Sequence, residues 1–574
     1  MPVVGTQGPI VIAHGVLEFN SENLQVPLCR EVSTVRSAMM KLFRKSLILT
    51  HRYLGIALGL LVVMWFASGL VMIYAGGMPR LTPQLRLERL PALDLRAVHL
   101  TAAEAADRVA LRNPPARALL VPVMGRPAYR LGRQTVFADT GEIFEPASVE
   151  RSADIAAAFM NLPATQVHFV RTLTSVDQWT LGQGRQLPLH KFRVDDVDRT
   201  ELYVQPATGE VSVLTTQRGR FLAWVGTIPH WLYFTALRVN QPLWYRVVVW
   251  TSAFACALAV LGLVLSVVQF RRTNPFRLSA SIPYAGWMRW HYITGAIFGV
   301  FTLTWAFSGL LSMEPFAWTN ATGLEIDRDA LTGGPIELAR FGAIDPGAWD
   351  RVLEGRTLKE LEFVRIQDEH YYVARYTQRD DLSGARRERL HQPYNVTGSA
   401  DPDRLLVNAA TMEPRQQPFS VDSLMARLRA SVPDVPVVES QLLSDYDSYY
   451  YSQGRQSPLP VLRVKFGDPA DTWVYIDPAM SQVLAEIHRL NRVERWLYSG
   501  LHNLDFPFLY NRRPLWDISM IALSLGGLSV TAIGLLLGVR RVRRGTSRLV
   551  HAVALPRPGG EPSYHAPATR EEAT

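Results

Sequence analysis

Four of the thirteen histidines in this chain stand in register with one another. His51 opens the string His51-Arg-Tyr-Leu-Gly55, and Gly59, Trp65, Ser68, Gly69 and Leu70 follow it. His291 opens His291-Tyr-Ile-Thr-Gly295, and Gly299, Trp305, Ser308, Gly309 and Leu310 follow, every pair 240 positions apart. His230 and His502 belong to a second matched string, 272 positions apart. In it Trp224, Pro242, Trp244, Gly262, Arg271 and Arg272 recur as Trp496, Pro514, Trp516, Gly534, Arg543 and Arg544. Imidazole is the commonest metal-binding side chain, so matched pairs of it are candidates for a ligand role. The other nine lack such partners: His14, His551 and His565 lie in the tails, and His99, His168, His190, His370, His391 and His488 in the long loops.

The elements that must position these residues are apolar. Leu54–Tyr74, Val247–Phe270, Tyr292–Met313 and Ile518–Val539 contain no Asp, Glu, Lys or Arg. About 20 residues rising ~1.5 Å each cross a bilayer core, so four transmembrane helices are expected. Basic residues crowd one set of ends: Arg36, Lys41, Arg44, Lys45 and Arg52; Arg271, Arg272, Arg277 and Arg289; Arg540, Arg541, Arg543, Arg544 and Arg548. By the positive-inside rule both termini and the short link face the cytoplasm, and both long loops face the periplasm. The net charge of +9 is thereby a topology signal and calls for no nucleic acid. The first apolar run reads as an uncleaved anchor. The two cysteines, Cys29 and Cys256, supply no disulfide in the loops and no CxxCH for covalent haem.

The expected order is a cytoplasmic tail (1–50), TM1 (51–75), a first periplasmic domain (76–222), an interfacial segment (223–246) and TM2 (247–270). A cytoplasmic link (271–290) leads to TM3 (291–313), a second periplasmic domain (314–494), an interfacial segment (495–517), TM4 (518–539) and a cytoplasmic tail (540–574). Helix, large outer domain and helix are thus used twice, in a parallel repeat with a pseudo-two-fold axis along the membrane normal. The outer loops read as small α+β domains: a helix over Thr101–Asn113, strands near Ala118–Pro122 and Ala128–Leu131, and Asp-x-Gly or Thr-Gly turns at Asp139–Gly141 and Thr208–Gly209. Degenerate copies of the turn follow His391 and Ile476, and Gln183-Gly-Arg-Gln186 recurs as Gln453-Gly-Arg-Gln456.

The repeat sorts the four histidines into one pair per membrane face, His51 with His291 inside and His230 with His502 outside. Symmetry mates approach each other across the axis, where a planar cofactor would receive one imidazole from each half. Haem iron offers two opposed axial positions and accepts neutral imidazole. Two non-covalent b-type haems are therefore expected, with Gly55, Gly59, Gly295 and Gly299 opening space between helices. Arg52 and Arg289 are candidate propionate partners at the inner site, and Arg246, Arg512 and Arg513 at the outer one. A lone histidine at a helix end is more often an interfacial residue; two pairs at equivalent places on opposite faces favour ligation. Zinc or copper fits less well, because cysteines and carboxylates do not cluster beside these histidines.

The His-x-x-x-Gly opening with a downstream Trp-x-x-Ser-Gly, at His51 and His291, resembles the PepSY-associated transmembrane family over roughly residues 40–545. The Thr-Gly-Glu turns of the loops fit the same resemblance. It implies PepSY-like periplasmic domains and a likeness to bacterial inner-membrane, haem-containing ferric-siderophore reductases. On that footing the expected activity is electron transfer across the bilayer to a periplasmic ferric siderophore, releasing iron for uptake. No G-x-G-x-x-G follows a strand, so the electron donor is a quinol or another protein. The Tyr446–Tyr451 stretch and Trp179 are candidates for a substrate surface. The alternative from another class is a non-redox regulatory membrane protein whose PepSY-like domains bind peptides or a protein partner. A permease is disfavoured by four helices without buried carboxylates.

Overall fold

The computed structural model of the chain describes residues 22–275, 277–320, 323–377, 404–451 and 457–554, without the side chains of 22–37 and 548–554. The turn after His391 and the second Gln-Gly-Arg-Gln lie outside the described residues.

Four long helices, Glu22–Ala75 (TM1), Gln241–Val268 (TM2), Gly286–Leu311 (TM3) and Leu515–Ala554 (TM4), are apolar and long enough to cross a membrane. TM1 and TM4 run well past their uncharged stretches. An uncharged run marks what lipid must surround, whereas Lys, Arg, Met and Leu are good helix formers and carry the helix onward. TM2 starts six residues before the expected 247, where the Asn240 side chain caps Leu243 N at 3.1 Å and a proline fills the first turn. Contacts run TM1–TM2, TM2–TM3, TM3–TM4 and TM4–TM1, a closed ring around a central space.

The segments joining TM1 to TM2 and TM3 to TM4 build the sheets. One four-stranded antiparallel sheet has the order β4(Val167–Leu173)-β5(Leu189–Val194)-β6(Glu201–Gln205)-β7(Glu210–Thr215). A second repeats that order as β11(Val437–Leu443)-β12(Val461–Phe466)-β13(Trp473–Asp477)-β14(Gln482–Ile487). The remaining strands are β1(Ala118–Val123), β2(Arg126–Leu131), β3(Gln134–Phe137), β8(Thr357–Ile366), β9(Glu369–Thr377) and β10(Arg404–Asn408).

These six depart from the expectation of two separate outer domains. They form one sheet, β10-β9-β8-β1-β2-β3, in which β1 of the first segment pairs with β8 of the second, Leu120 opposite Leu361. The cause is the apolar character of β1: all six residues of Ala-Leu-Leu-Val-Pro-Val are buried. Left unpaired, such an edge would be an aggregation hazard. Alternate residues serve two cores. Leu120 joins Tyr129, Phe341, Trp349 and Tyr372 on one face, and Leu119, Val121 and Val123 join Phe192 and Leu202 of the first four-stranded sheet on the other. The helix over 101–113 is also shorter than expected, Ala102–Arg108, opened by a capping box between Thr101 and Glu104.

The seam is charged as well as apolar. Glu360 of β8, with no exposed surface, receives Arg86 at 2.5 Å and Arg375 at 3.0 Å. Glu362 receives Arg117 at 2.8 Å and Arg375 at 2.5 Å. Arg86 and Arg117 precede TM2 and both glutamates follow TM3, so these pairs staple the two segments together.

Candidate cofactor site between paired histidines

His51 and His291 sit within TM1 and TM3. His230 lies in the short helix Thr227–Trp231 and His502 in Leu501–Asn503. Both short helices lie outside the spans in sequence yet are folded against them. Thr227 Oγ1 donates to the Gly76 carbonyl at 3.0 Å, and a π-helical turn over Trp496–Gly500 leads into His502. Two residues after each of these histidines a leucine takes a left-handed conformation, Leu232 at φ 52° and Leu504 at φ 50°. A non-glycine residue there is strained by about 1–3 kcal/mol, and such strain collects at functional sites.

The histidines meet in pairs. Ring centres of His51 and His291 are 6.3 Å apart, and those of His230 and His502 are 6.1 Å apart. Imidazole nitrogen binds a metal at roughly 2.0–2.1 Å, and the ring centre lies about 1.1 Å behind it, so two rings facing one metal in line have centres about 6.3 Å apart. Both pairs are set at that separation.

The ring nitrogens are sorted the same way at each position. His51 Nδ1 is 3.1 Å from the Leu258 carbonyl, and His291 Nδ1 is 3.1 Å from the Val530 carbonyl. A carbonyl only accepts, so Nδ1 carries the proton and Nε2 keeps its lone pair. His230 Nδ1 has the Trp65 carbonyl at 3.1 Å and Ser68 Oγ at 3.2 Å; His502 Nδ1 has Ser308 Oγ at 2.9 Å. Each serine donates to a helix carbonyl, Ser68 to Met64 at 2.6 Å and Ser308 to Trp305 at 3.2 Å, which turns its lone pairs to the histidine. Among the described residues no hydrogen bond occupies Nε2 of any of the four. This is the outer-shell arrangement that orients histidine ligands and raises their basicity.

Each ring lies against a glycine. A Cβ added at Gly262 would come 2.9 Å from His51 Cε1, and one at Gly534 3.0 Å from His291 Cε1. At Gly69 the distance to His230 Cε1 is 3.3 Å, and at Gly309 to His502 Cε1 it is 3.7 Å. The glycine seats and the two serines have no ligand role in the sequence reading. They are nonetheless visible there as identities of the two matched strings, which is the signal that finds them.

All four histidines line one cavity of about 2240 Å³, which also takes in Gly55, Gly59, Gly295 and Gly299. Single ligand pockets measure roughly 300–1,000 Å³, so the space exceeds that of one such pocket. The pairs are well separated: TM1 rises about 26 Å at ~1.5 Å per residue from His51 to Ser68, beside His230.

The basic residues sort less cleanly. Arg52 lines the cavity, as expected. Arg289 does not; its guanidinium donates to the Ser279 carbonyl at 3.2 Å. Arg246 and Arg512 are exposed and stand outside the lining, Arg246 donating to the Pro242 carbonyl at 3.3 Å. Arg513, a candidate from the sequence, lines it, as do Arg80, Arg540, Arg541 and Arg544. Distance from the membrane face is readable in sequence; the side of the helix that meets the cavity depends on packing. Tyr449, Tyr450 and Tyr451 border the sheet-side end, whereas Trp179 packs on Leu173, Leu189 and Tyr203 away from it.

The PepSY-associated TM region matches residues 48–541, which is most of the chain and includes all four histidines. The chain belongs to the PepSY-associated TM family. No curated protein matches it in sequence. For this PepSY-associated membrane protein the residues present fit haem on the chemistry of the donors. At each site two imidazoles lie 6.1–6.3 Å apart between ring centres, and no group of three His, Cys, Asp or Glu side chains gathers among the described residues. Two opposed ligands suit an iron whose equatorial positions belong to its own macrocycle; a closed zinc site needs four.

Proposed function

We propose that this PepSY-associated protein is a di-haem b electron-transfer protein of the bacterial inner membrane that reduces a ferric siderophore on the periplasmic side. The observation that carries the reading is the two pairs of neighbouring imidazoles, 6.3 and 6.1 Å between ring centres, with every Nδ1 tied to an acceptor. His51 and His291 would hold one haem and His230 and His502 the other, and haem supplies one-electron transfer when bound. The chain's part is to fix the rings, keep Nε2 free of protons, and surround the apolar faces with Gly55, Gly59, Gly295 and Gly299. Arg52, Arg540 and Arg541 on the link side and Arg80 and Arg513 on the sheet side offer cations to propionates.

The same reading takes the chain as an internal duplication about an axis along the membrane normal, N-in and C-in with the sheets periplasmic. It is supported by the repeated strand order, the repeated left-handed leucines and the repeated serine and glycine contacts. The basic flanks support the orientation. Siderophore reduction follows from the likeness to ferric-siderophore reductases. One electron converts Fe³⁺ to Fe²⁺, a poorer match for hard oxygen donors, and the chelate loosens. A quinol or a protein supplies that electron.

The test is the visible spectrum of the detergent-purified chain, expressed with ample iron and haem precursor. Reduced-minus-oxidised b-type bands at two haems per chain support the proposal, and a chain without haem overturns it.

A further inference from the structure

Near the sheet-side histidine level two aromatic rings enter the shared cavity. Phe66 of TM1 and Trp305 of TM3 meet edge to face, with ring centres 5.5 Å apart and planes at 74°. Both border the cavity. Phe66 lies over Gly527 of TM4 and Phe298 of TM3 over Gly526, each where a Cβ would collide with the ring. TM4 thus has a two-residue notch that seats one aromatic ring from each neighbouring helix. The matching positions of TM2, 272 residues earlier, are Phe254 and Ala255, so the notch belongs to one half alone.

The pair also has a defined height and a defined attachment. Phe66 stands about 22 Å along TM1 from His51 at ~1.5 Å per residue, half a turn short of the Ser68 that touches His230. Trp305 stands about 21 Å along TM3 from His291, less than one turn short of Ser308. Its indole Nε1 donates to the carbonyl of His502 at 2.8 Å, so the ring is fixed to the peptide that carries a ligand of the sheet-side pair.

We infer that the Phe66–Trp305 contact is the coupling element between the two cofactor sites and carries the electronic contact from one to the other. This rests on the two-haem reading. The step is a single electron leaving the site at His51–His291 and arriving at the site of His230–His502. Phe66 and Trp305 undergo no net oxidation, and no proton moves. Their function is to fill the gap with π-systems in van der Waals contact, because electron tunnelling weakens steeply with distance and more steeply across a void. Trp250 of TM2, exposed and outside the cavity lining, serves as the control.

The experiment uses the full chain, haem-loaded, in nanodiscs. Fewer electrons than haems are delivered by pulse radiolysis, and their redistribution is followed as a relaxation of the visible bands. Phe66→Leu and Trp305→Leu are expected to slow that relaxation roughly tenfold each, the rate step that a barrier change of about 1.4 kcal/mol gives. Trp305→Phe restores most of the rate, Trp250→Leu leaves it unchanged, and haem content and midpoint potentials stay as in the parent. If a leucine variant loses haem, Phe66→Tyr and Trp305→Phe are compared with Phe66→Met and Trp305→Met, where aromatic substitutions must outpace aliphatic ones. Two haems with an unchanged relaxation in the leucine or methionine variants overturn the coupling role and leave the two-haem reading intact. A parent chain without haem overturns both.

Discussion

The link-side and sheet-side histidine pairs reach the same ring separation by different routes. His51 and His291 are residues of spanning helices, and each leans on the carbonyl of a neighbouring span, Leu258 or Val530. His230 and His502 ride on short helices that follow the sheets and are folded back against TM1 and TM3, where Ser68 and Ser308 receive them. One site is built by helix register alone. The other depends on tertiary placement of segments whose own helices are three to five residues long. The link-side pair is therefore expected to be rigid and intolerant of added volume, and the sheet-side pair to be adjustable and sensitive to what happens in the sheets.

The largest effect separates the pairs outright. His51→Leu or His291→Leu should leave one haem per chain with the spectrum of the sheet-side site. His230→Leu or His502→Leu should leave the other. Haem per chain and low-temperature difference spectra read this directly, and a variant that keeps both haems breaks the pairing.

The next effect grades the two sites by their glycine seats. Alanine at Gly262 or Gly534 would put Cβ 2.9 or 3.0 Å from a ring carbon, against 3.3 Å at Gly69 and 3.7 Å at Gly309. Overpacking of this kind costs about 1–3 kcal/mol where the neighbour is fixed. Loss of the link-side haem is expected in G262A and G534A, weaker retention of the sheet-side haem in G69A, and parental content in G309A. Equal tolerance at all four seats would remove the rigid-versus-adjustable distinction.

This contrast also explains what could be read from the residues in advance. The link-side site was legible because ligand, helix and register occupy one apolar run, so that His51, Gly55, Gly59 and Ser68 declare a face. The sheet-side histidines were legible as a pair through the repeat, but their depth was not, because an aromatic segment after a strand carries no signal of folding back into a bundle. Which arginines border the cavity was not legible. Arg246 and Arg289 donate to the Pro242 and Ser279 carbonyls and stand outside its lining, since rotation about a helix axis is fixed by packing. The shared sheet was hidden for a similar reason. β1 announces burial through Ala118–Val123, but nothing local says that its partner is β8 across the whole length of TM2 and TM3.

A smaller effect acts within the sheet-side pair. Ser308→Ala removes an acceptor 2.9 Å from His502 Nδ1 and Ser68→Ala a more distant one, 3.2 Å from His230 Nδ1, while each ring keeps a tryptophan carbonyl, Trp305 or Trp65. Loss of such an outer-shell partner typically costs about 10–100-fold in affinity or activity. The sheet-side midpoint potential and haem affinity should shift more in S308A than in S68A, with the link-side bands unmoved in both.

The smallest effect tests whether the sheet-side site answers to the sheets at all. Burial pushes the Glu362 carboxyl up, but the hydrogen bonds and charges of Arg117 and Arg375 outweigh it and hold the group below its ordinary range. A carboxylate with a depressed folded pKa stabilises the fold above its unfolded value, about 4.3, and that contribution is lost as pH falls through the lower, folded value. Glu362 lies on β8, which pairs with β1 at the seam, and the strands of both segments lead on to the helices before His230 and His502. Acidification below about pH 4 should thus disturb the sheet-side bands before the link-side bands. Replacing Glu362 with Gln leaves the two arginines without that charge at every pH. In E362Q the sheet-side bands should be shifted already at neutral pH and change less on acidification. Simultaneous loss of both sets of bands in the parent, with the same midpoint in E362Q, would mean that the seam does not hold the sheet-side histidines in place.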